Sequence, residues 1–296
     1  MGRHRSVAAR VALPLLAVAL AVVGFGAFRT YGLAWTGWGG AGTDGLRGRA
    51  GAVTVGVPDL SGTARLADLP DSGFLQVVNA QYAVSLTPAN LTTAWPGVAV
   101  ADTAERLDRT ALAGLAALLK AASAAGVGEP YLSSGYRDHA QQQRTYDATA
   151  DKSRVQPAGH SEHETGLAAD IAVPGVTQAD LAASSAGRWL ADNAWRFGFV
   201  LRYPADKQGV TGIAGEAWHF RYVGQPHAWY CHKAGLALEE YVQFLRETGG
   251  YRVDLDGVTY SVAYETAKDG ILRVPTGGDV IVSSDNGGGF IVTGRR

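Results

Sequence analysis

The chain has 296 residues, 47% of them hydrophobic and 18% charged, enough to bury one ordinary core with residues left over. Lys and Arg number 26 against 27 Asp and Glu, and a net charge of -1 offers no cationic surplus for a polyphosphate backbone, so nucleic acid is not an expected partner. A single cysteine, Cys231, excludes an intrachain disulfide and leaves any metal site to His and carboxylate ligands.

In chain order, Arg3, Arg5 and Arg10 precede an uncharged apolar run of 18 residues (11–28) closed by Arg29. That length lies between a spanning helix and the core of an export signal. No small-x-small cleavage site follows, and basic residues are richer before the run than after it. Residues 1–29 therefore read as an uncleaved single-pass membrane anchor with the bulk of the chain outside the cell; a cleaved signal and a secreted product is the second reading. Residues 30–69 read as a glycine-rich spacer, with ordered structure expected to begin near 70. From 74 to 100, Pro88 and Pro96 interrupt short apolar runs, and an extended lead-in segment is expected.

A helix is predicted next, with Asp102 as cap, Glu105 completing a capping box, and Leu107, Ala111, Leu115, Leu118 and Ala122 at helical spacing as far as Gly126. PYLSS reads as a strand, and a second helix starts after Asp138. GLAADIAVP (166–174) is read as a strand, AGRWLADNAWRF as a helix followed by a strand near 198–203, and WHFRYV (218–223) as another strand. The stretch from His227 is helical, with a break at Ala234-Gly235. This irregular order indicates an α+β domain over residues 70–248. Alternating Val, Tyr and Ile between Gly and Asp turns make residues 249–296 a small β appendage.

Three clusters carry chemistry. In SEHETGLAAD (161–170), His163 precedes a Gly166 turn, and the following strand can bring Asp170 back beside it. A lone His–Asp pair is more often a cap beside an exposed ring, so a second cluster is needed. EAWHF (216–220) supplies it: if His219 opens a strand and Glu216 sits in the preceding turn, both face one cavity. Two His and one carboxylate can hold zinc with a place open for water, and a further carboxylate can take that water's proton. His163, Asp170 and His219 are then the ligands and Glu216 the base. In SSGYRDHAQQQ (133–143), the fork of Arg137 suits a carboxylate or a polarised carbonyl.

SGYR with Gln142 and Tyr146, then SEHETGLAAD, then EAWHFRYVG resemble, in this order, the VanY-type zinc D-alanyl-D-alanine carboxypeptidases of the M15 peptidases, over roughly residues 74–246. The resemblance implies a Hedgehog/DD-peptidase fold, an antiparallel sheet with flanking helices around one zinc ion. It implies His163, Asp170 and His219 as ligands, Glu216 as base, Arg137 on the substrate carbonyl and its oxyanion, and Ser161, Gln142 and Trp218 as substrate contacts. Ala217 and Glu164 stand where family members commonly carry Pro and Gln; Glu164 is expected to add negative charge near the metal. Glu162 and His160 read as setting rather than chemistry, and His139, His227 and His232 as structural or exposed.

The activity so implied is D,D-carboxypeptidase action on peptidoglycan stem peptides by a monomer. Two alternatives stand beside it: an L,D-carboxypeptidase or cross-link endopeptidase using the same machinery, and a non-catalytic wall-binding module.

Overall fold

The computed structural model describes residues 56–94 and 98–296. The apolar run 11–28 and the glycine-rich stretch up to residue 55 lie outside the described residues, and the expected anchor with them. Among the described residues no helix is long and apolar enough to cross a membrane.

Pairing starts earlier than the sequence suggested. Strand β1 (Gly62–Arg65) lies in the expected spacer, yet it pairs antiparallel with residues 271–274. The lead-in is irregular apart from β2 (Leu91–Thr93), which pairs with β3 (Arg106–Asp108). That pairing moves the start of helix α1 (Arg109–Ala124) past the expected capping box, because residues 106–108 are drawn into the strand. Asp108 is the actual cap, accepting from the Thr110 and Ala111 N–H groups at 2.8 and 3.2 Å. Glu105 instead accepts from the Gly135 N–H at 2.6 Å.

Strand β4 (Tyr131–Ser134) is followed by α2 (His139–Ala148), where Asp138 and Gln141 form the capping box. Then come β5 (Ala168–Ala172), α3 (Ser185–Asn193), β6 (Phe199–Tyr203) and β7 (Glu216–Tyr222). The four strands make one antiparallel sheet in the order β4-β5-β7-β6. Ala169, Ile171 and Phe220 bury one face of it against Leu112, Leu115 and Leu119 of α1. Asp170 and His219 alternate with those core residues.

Helices α4 (Gln225–Ala234) and α5 (Leu238–Thr248) meet at Gly235, whose left-handed φ of 64° ends α4 at the expected break. Strands β8 (Gly250–Leu255), β9 (Val258–Glu265), β10 (Ile271–Val274), β11 (Asp279–Ser284) and β12 (Phe290–Arg295) complete the chain, with a second antiparallel sheet ordered β11-β12-β9-β8. This region is less of an appendage than its sequence texture suggested. The apolar stripe of α5 (Leu238, Tyr241, Val242, Leu245) needs a cover, and Tyr251, Val253, Val262 and Ile291 of the sheet share one core with it and with Leu75 and Val77 of the lead-in. His227 bridges the two layers. Its Nδ1 lies 2.7 Å from the Tyr241 hydroxyl and its Nε2 3.0 Å from Thr293 Oγ1, while Tyr241 and Tyr251 hydroxyls meet at 3.0 Å.

Candidate active site

Strand register assembles the centre. Asp170 of β5 stands directly opposite His219 of β7 and opposite Ser134 of β4, so one row across the sheet collects them. His163 arrives from the 3-10 turn Glu162–Thr165, which Gly166 ends in a left-handed conformation (φ 73°) so that the chain can enter β5. Gly135 lies behind it. A Cβ there would stand 2.4 Å from the Arg106 carbonyl oxygen, so only glycine lets this segment approach. The Gly135 carbonyl accepts from His163 Nδ1 at 2.6 Å, which protonates that nitrogen and leaves Nε2 with a free lone pair.

Nε2 of His163 is 3.4 Å from Asp170 Oδ2, and Nδ1 of His219 is 2.9 Å from Asp170 Oδ1. Donor atoms of His163, Asp170 and His219 all lie within 4.8 Å of one another, and all three residues are buried. Two imidazoles and one carboxylate, with no thiolate, are a donor set for zinc with a position left open, and the carbonyl-oriented ring of His163 is how metal-binding histidines are commonly held. The residues present fit the ion.

Electrostatics separate the three. Burial and the neighbouring Arg137 push His163 down, towards its neutral form. Burial opposes charge on Asp170, but the two histidines hold its carboxyl well below the usual carboxylate range. His219 also feels burial, yet its bonds to Asp170 and the proximity of Glu162 push it up to about 9.

The group opens on a cleft of about 810 Å³ whose walls include the other five predicted residues, Arg137, Gln142, Ser161, Glu216 and Trp218. Glu216 is the first residue of β7 rather than part of the preceding turn. Three positions before His219, a regular strand would send its side chain to the opposite face, but the register against β6 shifts between Leu201 and Tyr203, and both reach the cleft. Burial pushes the Glu216 carboxyl up to about 7. Arg137 donates to Ser134 Oγ at 3.0 Å, to Gln142 Oε1 at 3.2 Å and to Asp170 Oδ2 at 3.2 Å. Gln142 is itself held, since its Nε2 donates to the Gln156 carbonyl at 2.7 Å. Ser161 Oγ accepts from the His163 N–H at 3.4 Å.

Glu164 does not add charge to the metal position. Its carboxylate accepts from the Gly159 N–H at 2.6 Å and meets His139 Nδ1 at 3.1 Å. His160 bonds the Asn79 carbonyl and His232 stacks on Trp195. Three residues went unnoticed in the sequence. Arg154 donates to the Gly215 carbonyl at 2.7 Å and lies 5.6 Å from the centre of the Trp218 ring. Arg202 and Arg221, each in an apolar strand, are fully buried around Glu162. Charged residues inside apolar strands were the available signal, because such groups are buried only with partners.

Residues 104–225 match the family described as VanY, D-alanyl-D-alanine carboxypeptidase. The bifunctional D-Ala-D-Ala dipeptidase and D-Ala-D-Ala carboxypeptidase VanXYC of Enterococcus gallinarum is 37% identical over 129 residues, 40% of this chain and 68% of that protein. The chain belongs to the VanY family. A D-alanyl-D-alanine carboxypeptidase of Enterococcus faecium is 38% identical over 169 residues, 57% of this chain and 54% of the relative, so the chain spans about half the length of that protein. Among solved structures, the D,D-dipeptidase VanXYg in complex with a D-Ala-D-Ala phosphinate analogue superposes with a TM-score of 0.68 at 27% identity, covering 83% of this chain and 100% of that one. The α+β architecture is thus that of the VanY-type peptidases, and the residues lining the cleft fall within or beside the matched span.

Proposed function

We propose that the chain is a zinc-dependent D,D-carboxypeptidase that removes the C-terminal D-alanine from peptidoglycan stem peptides. The observation that carries this reading is the Glu216 carboxyl, not a member of the His–Asp–His group, raised to about 7 and facing the same cleft as that group. A carboxylate with such a pKa is poised to take a proton and return it near neutral pH.

His163 through Nε2, His219 through Nδ1 and Asp170 would hold the zinc ion, which supplies a Lewis acid for the scissile carbonyl and acidifies a bound water. Glu216 takes the proton of the attacking water and delivers it to the departing D-alanine amine. Arg137, already held by Ser134 and Gln142, turns its remaining donors to the carbonyl oxygen as negative charge builds there. Ser161 and Trp218, on the cleft wall, are positioned for contacts to the peptide.

The substrate lies outside the cell membrane, which agrees with residues 1–29 acting as a single-pass anchor, or as an export signal, and residues 30–55 as part of the tether. Residues 249–296 act as a buttress for α5 in this reading.

The test uses the purified full chain, zinc-loaded, with a stem pentapeptide and with the matching tetrapeptide. Free D-alanine from the pentapeptide alone is the expected result. Release from the tetrapeptide alone would replace the proposal with L,D-carboxypeptidase action, and binding of both without cleavage would leave a wall-binding module. Glu216→Ala is expected to abolish release while zinc content stays near that of the unaltered chain.

A further inference from the structure

Glu162 lies one residue before a proposed zinc ligand, and the sequence gives it no chemistry. The structure surrounds it with charge in one particular way. Its Oε1 accepts from Arg202 Nε at 2.8 Å and forms an ion pair with Arg221 Nη1 at 2.9 Å that lacks hydrogen-bond geometry, all three side chains being sealed from solvent. Arg202 is fixed in turn by Glu239 of α5, through Nη1 at 2.9 Å and Nη2 at 2.6 Å. Arg221 is fixed by the lead-in, its Nη2 donating to the Gly73 and Gln76 carbonyls at 3.0 and 3.2 Å. Every contact that orients Glu162 therefore acts on Oε1. Oε2 is buried and has no hydrogen-bond partner.

His219 Nε2 is also buried without a hydrogen-bond partner, and it lies 3.6 Å from that oxygen. Two orphaned polar atoms of opposite character, each costly to leave unpaired in an interior, thus face each other just beyond bonding distance. A shift of well under an ångström closes the gap. The other ring nitrogen of His219 points at Asp170.

We propose that Glu162 is the positioning residue for His219: by accepting from Nε2–H it selects the tautomer whose Nδ1 lone pair faces the metal position. The two histidines of the site then bind through different nitrogens, for a local reason in each case. The Gly135 carbonyl takes Nδ1–H of His163 and leaves Nε2, while Glu162 takes Nε2–H of His219 and leaves Nδ1. Arg202 and Arg221 hold Glu162 in place from the Oε1 side. The inference rests on the zinc reading of the site.

Two measurements on the full chain test it. In nitrogen–proton correlation spectra of the zinc-loaded, histidine-labelled chain, His219 is expected as the Nε2–H tautomer and His163 as the Nδ1–H tautomer. In Glu162→Gln, which keeps the shape and loses the charge, zinc titration is expected to show affinity weaker by roughly 10- to 100-fold. Unchanged affinity in a folded Glu162→Gln chain would overturn the proposal. Should that variant not fold, the unaltered chain decides, since His219 found protonated at Nδ1 is equally fatal. Absence of zinc binding by the unaltered chain would instead sink the zinc reading.

Discussion

His219 and His227 are eight positions apart and each is 4% exposed, yet their surroundings give them opposite character. His227 lies between the hydroxyls of Tyr241 and Thr293, and burial pushes it down to about 3. His219 is buried as deeply, but Asp170 and Glu162 push it up to about 9. Burial alone makes a histidine a neutral, hydrogen-bonded packing residue. What distinguishes the second is the pair of carboxylates that β5 and the 3-10 turn bring to it, so a candidate site is better judged by its neighbours than by its histidines.

The sharpest test makes the same substitution at both. His219→Phe is expected to abolish zinc retention and D-alanine release, whereas His227→Phe retains both, as metal analysis and a release assay will show. Equal loss in both variants would break the distinction. Arg137→Lys keeps a charge but loses the fork that spans Ser134, Gln142 and Asp170, and a fall of about 10²-fold in kcat is expected with zinc content unchanged.

Two pH profiles follow from the same contrast. Glu216 must be ionised to act as base, so kcat/KM should fall about tenfold per pH unit below its pKa. A bound cation lowers that pKa, and the acid limb is expected at or below pH 7. His227 acts on stability instead. Its folded pKa of about 3 lies below the ordinary 6.5, so the unfolded chain takes up a proton that the folded chain refuses. Its stabilising effect is complete above pH 6.5 and is lost by about 1.4 kcal/mol per pH unit on the way down to pH 3. Urea unfolding of His227→Phe should show a shallower acid slope, together with a cost of about 1–3 kcal/mol at pH 7.5, because the Thr293 hydroxyl loses its partner and the Tyr241 hydroxyl keeps only Tyr251. The smallest expected effect is at Asp108→Ala, about 1 kcal/mol for the lost α1 cap, with activity unchanged.

What could be read in the sequence was whatever depends on neighbours along the chain. The capping box at Asp138, the break at Gly235 and the spacing of the proposed zinc ligands are local patterns, and the structure brings His163, Asp170 and His219 within reach of one another. The misreadings came where distant backbone intervened. Asp102 looked like the cap of α1 until pairing of residues 106–108 with β2 moved the helix start to Arg109. Glu216 was assigned to a turn because period-two alternation has no room for a register shift. Glu162 looked like ordinary polar filling, because its partners Arg202 and Arg221 come from strands 40 and more residues away.

The Leu75 N–H donates to Ser283 Oγ, 208 residues away, and Leu75 packs in the core that α5 shares with the second sheet. Contacts of such sequence separation make folding slow, because a long loop must close before they contribute. The lead-in that they anchor also supplies the carbonyls gripping Arg221. The contacts behind the proposed metal pocket thus reach as far as β11, and a chain truncated before it is expected to show weaker zinc affinity even with His163, Asp170 and His219 present.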